Sequence, residues 1–333
     1  MRSQYPVLVT GGAGFVGSHA CKALARAGYG PVVYDSLVGG VAEAVQWGPL
    51  EKGCLSERDR LLSVFDRYRP VAVLHFAGFI EAGESVHAPR RFYRNNVALT
   101  LALLDVMRAS GVDILVFSSS AAVYGMPDAV PIPENHPLHP VSPYGWTKAM
   151  VEQMLADAAA AEGLRYAALR YFNASGAHPD GDLAENHAPE THLIPLAIQA
   201  AFGARPPLSV FGTDYDTPDG TCIRDYVHVC DLADAHVLAL RHLLEGGDSL
   251  VVNLGVGRGA SVRDVVDTVG AVTGRPVPTM VAPRRPGDPA VLVADPRRAE
   301  GLLGWRPRYT VLSDHVAHAV AALRSRPAAL SPG

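Results

Sequence analysis

What this 333-residue sequence lacks narrows its function before any motif is read. No apolar run approaches the ~20 residues that a membrane-spanning helix needs. No secretory leader is expected either, because a strand-like run begins almost at once. No excess of one charge is present: the formal net charge is −4, which offers no basic surface to nucleic acid or anionic lipid. Cysteine is scarce. Cys21, Cys54, Cys222 and Cys230 are too few and too scattered for a disulfide scaffold or a thiolate metal site, and read as reduced thiols in a cytoplasmic protein. The 13 histidines show neither His-x-x-x-His nor Cys/His clustering, so no metal centre is expected. Repeats and low-complexity runs are missing. What remains is a soluble globular chain, 48% apolar and 19% charged, long enough for one large α/β unit or two closely joined domains.

What is present alternates. Tyr5-Pro6-Val7-Leu8-Val9-Thr10 is an apolar run of buried-strand type. Gly11-Gly12-Ala13-Gly14-Phe15-Val16-Gly17 follows directly, and a helical stretch over 18–27 is stopped by Gly28. Glycines so spaced between strand and helix let the backbone turn tightly and approach a pyrophosphate at the helix N-terminus. The next apolar run, 31–34, ends in Asp35, eighteen residues after Gly17. An acid there accepts hydrogen bonds from an adenosine ribose and repels a 2′-phosphate, which favours NAD over NADP.

Helix-like 57–68 leads to strand-like 71–75, a long helical stretch over 89–110 to a strand over 113–117, and a helix ending at 162 to a strand over 166–170. This period predicts a doubly wound parallel (Rossmann) α/β sheet, with ligands at the carboxyl ends of its strands. From about Ala174 proline and glycine become frequent and the alternation lapses. Helices are expected over 193–202, 227–244, 262–272 and 310–325, and a strand over 250–254. The expected division is an NAD-binding domain over 1–173, with a returning segment about 225–255. A smaller, loop-rich substrate-binding lobe is expected from 174–224 and 256–330.

Ser142-Pro143-Tyr144-Gly145-Trp146-Thr147-Lys148 opens the helix that ends at 162. Four residues apart on a helix, a phenol and an ammonium share one face. A lysine charge ~4–5 Å from the phenol, at an effective dielectric of ~20, favours the phenolate by about 3–4 kcal/mol. Tyr144 would thereby become a usable general base.

Together these residues resemble the extended short-chain dehydrogenase/reductase family, and within it the UDP-glucose (UDP-galactose) 4-epimerases, over nearly the whole chain. The likeness runs through 10–17, His75-Phe76-Ala77-Gly78, Arg94-Asn95-Asn96, 117–125, 143–148 and Leu169-Arg170-Tyr171-Phe172-Asn173. It continues in Ser209-Val210-Phe211-Gly212, Arg224-Asp225-Tyr226, Asn253-Leu254-Gly255 and 284–288. The resemblance implies Tyr144 as the base, Lys148 on the nicotinamide ribose and Ser120 on the reacting sugar oxygen. It implies an NAD site of Gly11, Gly14, Phe15, Val16, Gly17, Asp35, Ser36, Leu55, Phe76, Ala77, Gly78, Asn95 and Phe172, together with Tyr144 and Lys148. The UDP-sugar would meet Asn173, Leu193, Phe211, Arg224, Tyr226, Arg285, Asp288 and Leu292, beside Ser120 and Tyr144. A homodimer through 89–110 and 144–162 is also implied. Some residues read equally as structure: Arg224 as a surface ion pair, Asn173 as a turn residue, Ser120 as a strand end and Leu292 as packing.

The sequence departs from the family pattern at Cys54, where many members carry an Asp, and at Ile80, where a Lys is common. Ala122 replaces a Thr, and Thr191-His192-Leu193-Ile194 replaces Asn-Asn-Leu-Met. The loop Ser118-Ser119-Ser120-Ala121-Ala122 separates reactions within the family, since elimination of water needs an acid and a base that Ala121 and Ala122 cannot supply. The expected reaction is redox-neutral inversion at C4 of a UDP-hexose through a 4-keto sugar, with NAD retained. A UDP-N-acetylhexosamine or UDP-pentose substrate stays open, as do a net nucleotide-sugar oxidoreductase and a non-catalytic NAD sensor.

Overall fold

The structure, a computed structural model, describes residues 5–186, 189–285 and 287–324. Pro286 of the expected 284–288 loop and Ser325, the expected end of the last helix, lie outside the described residues. The first half of the chain forms β1 (Pro6–Thr10), α1 (Phe15–Arg26), β2 (Gly30–Asp35), β3 (Leu50–Lys52), α2 (Arg58–Tyr68) and β4 (Ala72–His75). There follow α3 (Ala82–His87), α4 (Pro89–Phe92), α5 (Leu99–Ala109), β5 (Ile114–Ser120), α6 (Pro143–Glu162) and β6 (Arg165–Tyr171). The second half forms β7 (Asn173–Ser175), α7 (Leu193–Ala201), β8 (Leu208–Phe211), β9 (Ile223–Arg224), β10 (Tyr226–His228) and α8 (Val229–Leu244). It ends with β11 (Leu250–Leu254), β12 (Ala260–Ser261), α9 (Val262–Thr273), β13 (Thr279–Ala282), β14 (Val291–Leu292), α10 (Arg297–Leu303) and α11 (Leu312–Arg324).

Seven parallel strands make the main sheet in the order β11-β6-β5-β4-β1-β2-β3, the doubly wound architecture that the alternation predicts. Successive strand residues face opposite sides. Val7 and Val9 therefore pack with Ala20 and Leu24 of α1 and Leu232 and Leu240 of α8. Leu8 packs with Leu61 and Phe65 of α2, Leu103 of α5, and Val151 and Leu155 of α6. Each such fully buried side chain contributes about 1.5–3 kcal/mol of burial free energy. The order reverses direction at β1, between β2 and β4, which opens a crevice at the strands' carboxyl ends.

A separate core gathers Ile194 and Ile198 of α7, Leu208 of β8, Val265 and Val269 of α9, and Val316 and Val320 of α11. Around it lie small sheets: β10 beside β7, β13 beside β8, and β12-β9-β14.

The structure corrects three expected elements and adds, among others, a short edge strand. The helix expected over 89–110 is α4, a π-helical turn over Tyr93–Ala98, and α5. The helix expected from 227 starts at Val229, because Tyr226–His228 pair with Asn173–Ser175 as a strand. His228 Nδ1 then accepts from the Cys230 amide and caps α8. The strand over 113–117 extends to Ser120, carrying three serines to the crevice. Finally β3 is an edge strand of sequence Leu-Glu-Lys, too short and polar to give a strand pattern.

Candidate active site

The glycine turn works by close approach. At Gly11, with φ +74°, a Cβ would lie 2.5 Å from the Ala77 amide nitrogen, and at Gly17 one would lie 2.3 Å from the Gly11 carbonyl oxygen. Gly14 begins α1 with no side-chain cap, and no acid stands in the first turn. A 12-residue helix so started presents amides and the positive end of its dipole to an anion, with Phe15 and Val16 at its mouth. Asp35 is buried at the end of β2, accepting from the Ala13 amide at 3.0 Å and the Leu37 amide at 2.8 Å. Ser36 is exposed beside it, and Leu55 is buried in the core behind Tyr34. Cys54, the departure noted above, takes part through its carbonyl, which accepts from the Tyr34 hydroxyl at 3.0 Å. Cradle, dipole and acid fit a dinucleotide.

At the end of β4, Phe76 and Ala77 donate backbone hydrogen bonds to Thr10. The π-helical turn brings Asn96 against the next stretch: its amide oxygen accepts from the Phe79 amide, and its nitrogen donates to the Phe79 carbonyl, each at 2.9 Å. Asn95 donates to Asn96 at 2.9 Å. The sequence does not mark out Asn96, because two adjacent asparagines give no sign of which one turns inward; it also reaches Thr147 of α6 at 3.2 Å.

Ser142 caps α6 by accepting from the Gly145 amide at 3.2 Å, and Pro143 fits the first turn, where its missing N–H is not needed. A Cβ on Gly145 would lie 2.5 Å from the Ala122 carbonyl, so α6 starts directly against the serine loop. That contact brings Tyr144 close to Ser120, whose hydroxyl favours the phenolate and also accepts from the Ala122 amide at 3.2 Å. The Tyr144 amide donates to Ser85 Oγ at 3.1 Å. Lys148 is buried, donates to the Ser118 carbonyl at 2.8 Å, and lies 5.8 Å from the Tyr144 ring centroid.

One expectation is corrected here. Lysine was to pull the phenol's pKa down, but burial, with Tyr171 next, pushes it well above the usual value, against a smaller opposing pull from the Ser120 hydroxyl. The physical reason is direction: the ammonium turns to the Ser118 carbonyl, while apolar surroundings disfavour the phenolate. Burial also lowers Lys148 to about 8, against the pull of Glu152.

Among the residues expected at the UDP-sugar, Arg224 forms an ion pair with Asp288, and Leu292 stands beside Arg224 in the β9–β14 register. The Arg285 guanidinium lies 3.9 Å from the Phe211 ring centroid. Tyr226 pairs with Asn173, and Leu193 opens α7. Phe172 is buried with Leu292 packed against its cluster. Sequence reasoning missed Asp225, fully buried between Arg224 and Tyr226. Its carboxylate accepts from the amides of Val256 (2.7 Å), Gly257 (2.9 Å) and Ala294 (3.1 Å), and burial holds it up at about 6. Two clusters of potential metal ligands also arise from residues that the dispersed spacing did not flag. They are His178, Asp180 and Asp182, and Glu185, Glu190 and His192. In the first, Lys22 Nζ already stands 2.8 Å from Asp180 and 2.5 Å from Asp182.

A dinucleotide cradle facing a phenol, a hydroxyl and an ammonium defines an NAD-dependent enzyme on a doubly wound sheet. The chain belongs to the NAD dependent epimerase/dehydratase family, whose pattern it matches over residues 7–255. It is 54% identical over 303 residues to the UDP-glucose 4-epimerase of Rhizobium meliloti (strain 1021), covering 91% of this chain and 92% of that one. The crystal structure of UDP-glucose 4-epimerase from Brucella ovis in complex with NAD superposes with a TM-score of 0.93 at 53% identity, covering 95% and 97% of the two chains. The Stenotrophomonas maltophila UDP-glucose-4-epimerase, with bound NAD and formylated UDP-arabinopyranose, gives a TM-score of 0.94 at 41% identity, covering 98% and 100%. Among the described residues, no helix is long and apolar enough to cross a membrane.

Proposed function

We propose that the chain inverts C4 of a UDP-hexose, interconverting UDP-galactose and UDP-glucose with NAD held throughout. The observation that carries this is Tyr144 close to Ser120, with the Lys148 ammonium 5.8 Å from its ring centroid, beside a turn of Ala121 and Ala122 that holds no acid. NAD, when bound, supplies a reversible acceptor for the C4 hydrogen, so that a 4-keto sugar forms and no net oxidation results. Tyr144 would take and return the 4-OH proton as its phenolate, a form that burial disfavours in the chain alone and that the positive nicotinamide ring of bound NAD would favour, and Ser120 would orient the sugar oxygen. Lys148 holds a positive charge on the cofactor side. Gly11, Gly14, Phe15, Val16 and Gly17 cradle the pyrophosphate and Asp35 meets the ribose, with Ser36 and Leu55 by the adenosine. Phe76, Ala77, Gly78, Asn95 and Phe172 line the remainder.

In this reading Arg224 and Arg285 hold the diphosphate, and Asp288 keeps Arg224 extended until the phosphates arrive. Asn173, Leu193, Phe211 and Tyr226 enclose the nucleotide, and Leu292 sizes the sugar pocket. Its half-buried, medium-sized side chain also suits a pentose or an N-acetylhexosamine. For the domain division, β11 and α8, which pack with the main sheet, support an NAD-binding side, and the second core supports a separate substrate lobe, although Ala299 and Leu303 of α10 pack with the main sheet too. A homodimer is supported by Leu101, Trp146 and Met150, large apolar residues of α5 and α6 that are 52%, 43% and 41% exposed. The reduced cysteines accord with the cytoplasm.

Purified protein should interconvert UDP-galactose and UDP-glucose with no added cofactor, and Tyr144→Phe should lower kcat about 10²–10⁴-fold. Stoichiometric NADH release, with dependence on fresh NAD, would mark a net oxidoreductase instead.

A further inference from the structure

A buried acid stands directly behind the proposed proton-transfer pair. Glu152 follows Lys148 by one helical step of four, sharing its face of α6, and the two residues are 6% and 5% exposed. Its carboxylate joins three elements. Arg170 of β6 donates through Nε at 2.9 and 3.1 Å and through Nη2 at 2.5 Å, and Ser119 of β5 donates at 2.5 Å. The other guanidinium nitrogen of Arg170 donates to the Tyr124 hydroxyl at 2.9 Å and the Glu134 carbonyl at 3.0 Å. On either side of Ser119 lie the Ser118 carbonyl, which holds Lys148, and Ser120, which meets the phenol. Tyr171, next after Arg170, meets Ser118 Oγ at 2.5 Å.

For stability alone this pair is a poor choice, because apolar side chains of the same volume usually pack as well as a buried ion pair or better. We propose that Glu152 is a positioning residue for the reaction. Anchored by Arg170 and Ser119, it sets α6 against β5 and supplies the negative charge that keeps Lys148 an ammonium. The inference rests on the roles given to Tyr144 and Lys148 in the preceding section. The ionisable groups around Lys148 are Tyr144 and Glu152 on its own helix, His75 of β4, and Arg170 and Tyr171 of β6; Glu81 acts on Tyr144 from before α3. His75 is neutral, since burial lowers it to about 3, and Arg170 is already engaged by Glu152. Glu152 is thus the acid that offsets the burial of Lys148.

The chain has 3 lysines, Lys22, Lys52 and Lys148, so the carbon-13 signal of the Lys148 ε-methylene can be followed against pH. Glu152→Gln removes the charge but leaves Arg170 unpaired. The double variant Glu152→Leu/Arg170→Met, which replaces both charges with apolar bulk, is therefore measured beside it. In both, Lys148 should lose its proton about one to two pH units below the parent. At pH ~8, kcat should fall about tenfold and recover on acidification, with KM unchanged. An unmoved Lys148 titration in a folded variant overturns the proposal, as does a loss confined to KM. A double variant that fails to fold assigns the pair to stability and overturns it too. If the parent binds NAD but interconverts no UDP-hexose, the functional reading fails instead, and the lysine titration still decides the role of Glu152.

Discussion

The residues expected at the cofactor and those expected at the UDP-sugar are built by different means. On the sheet side, the cradle is a matter of backbone: Gly11 and Gly17 leave room that a single methyl group would fill. Among the residues expected at the UDP-sugar, side chains support one another. Arg224 pairs with Asp288, Arg285 covers Phe211, and Asp225 gathers amides from residues 256, 257 and 294. Backbone geometry tolerates many exchanges but no added atom, whereas a wall of paired side chains tolerates small additions but not the loss of a partner. The first should govern cofactor retention and the second substrate affinity.

Gly17→Ala puts this contrast to its hardest test, since the backbone oxygen in the way cannot swing aside. NAD retained through purification should fall at least about tenfold, and turnover with it. Full NAD content would erase the distinction. Arg224→Ala should leave NAD content intact and raise KM for the UDP-sugar about 10–100-fold, as expected for a lost charge-assisted hydrogen bond. A fall in kcat at constant KM would move Arg224 to the other side of the comparison.

The smallest effect concerns stability. Lys148 stands at about 8 in the folded chain against 10.5 for a free lysine. A lysine lowered on folding contributes fully above its unfolded value, and that contribution is lost as pH falls through about 8. Near neutral pH, holding the charge therefore costs about 3 kcal/mol, less about 1 kcal/mol for the hydrogen bond to Ser118. Lys148→Met should accordingly unfold at higher urea than the parent at pH ~7, by roughly 2 kcal/mol, while losing activity. No gain would mean that the lysine is better hydrated than its surroundings indicate.

Legibility divides along the same line. The glycine turn, Asp35 and the cap at Ser142 are consecutive or closely spaced, so local chemistry announces them. The capping box of Ser261 and Asp264 at the start of α9 is of this kind too. Asp225, Glu152 and Asn96 acquire meaning only from partners between 17 and 69 residues away. No spacing rule reaches that far. The bond of Lys148 to the Ser118 carbonyl was illegible for another reason: sequence places two residues on one face but does not say which acceptor the longer one will find.

The far end of α1 carries a last consequence. The helix begins at the glycine turn, and near its end Lys22 and Arg26 reach across to Asp180 and Asp182. Ambient ions can compete for Arg26, which is more than half exposed, but hardly for Lys22, which is almost sealed from solvent. One rod thus serves as both lintel and tie-bar, fastened from within, so brine would loosen its outer rivet and spare the inner one.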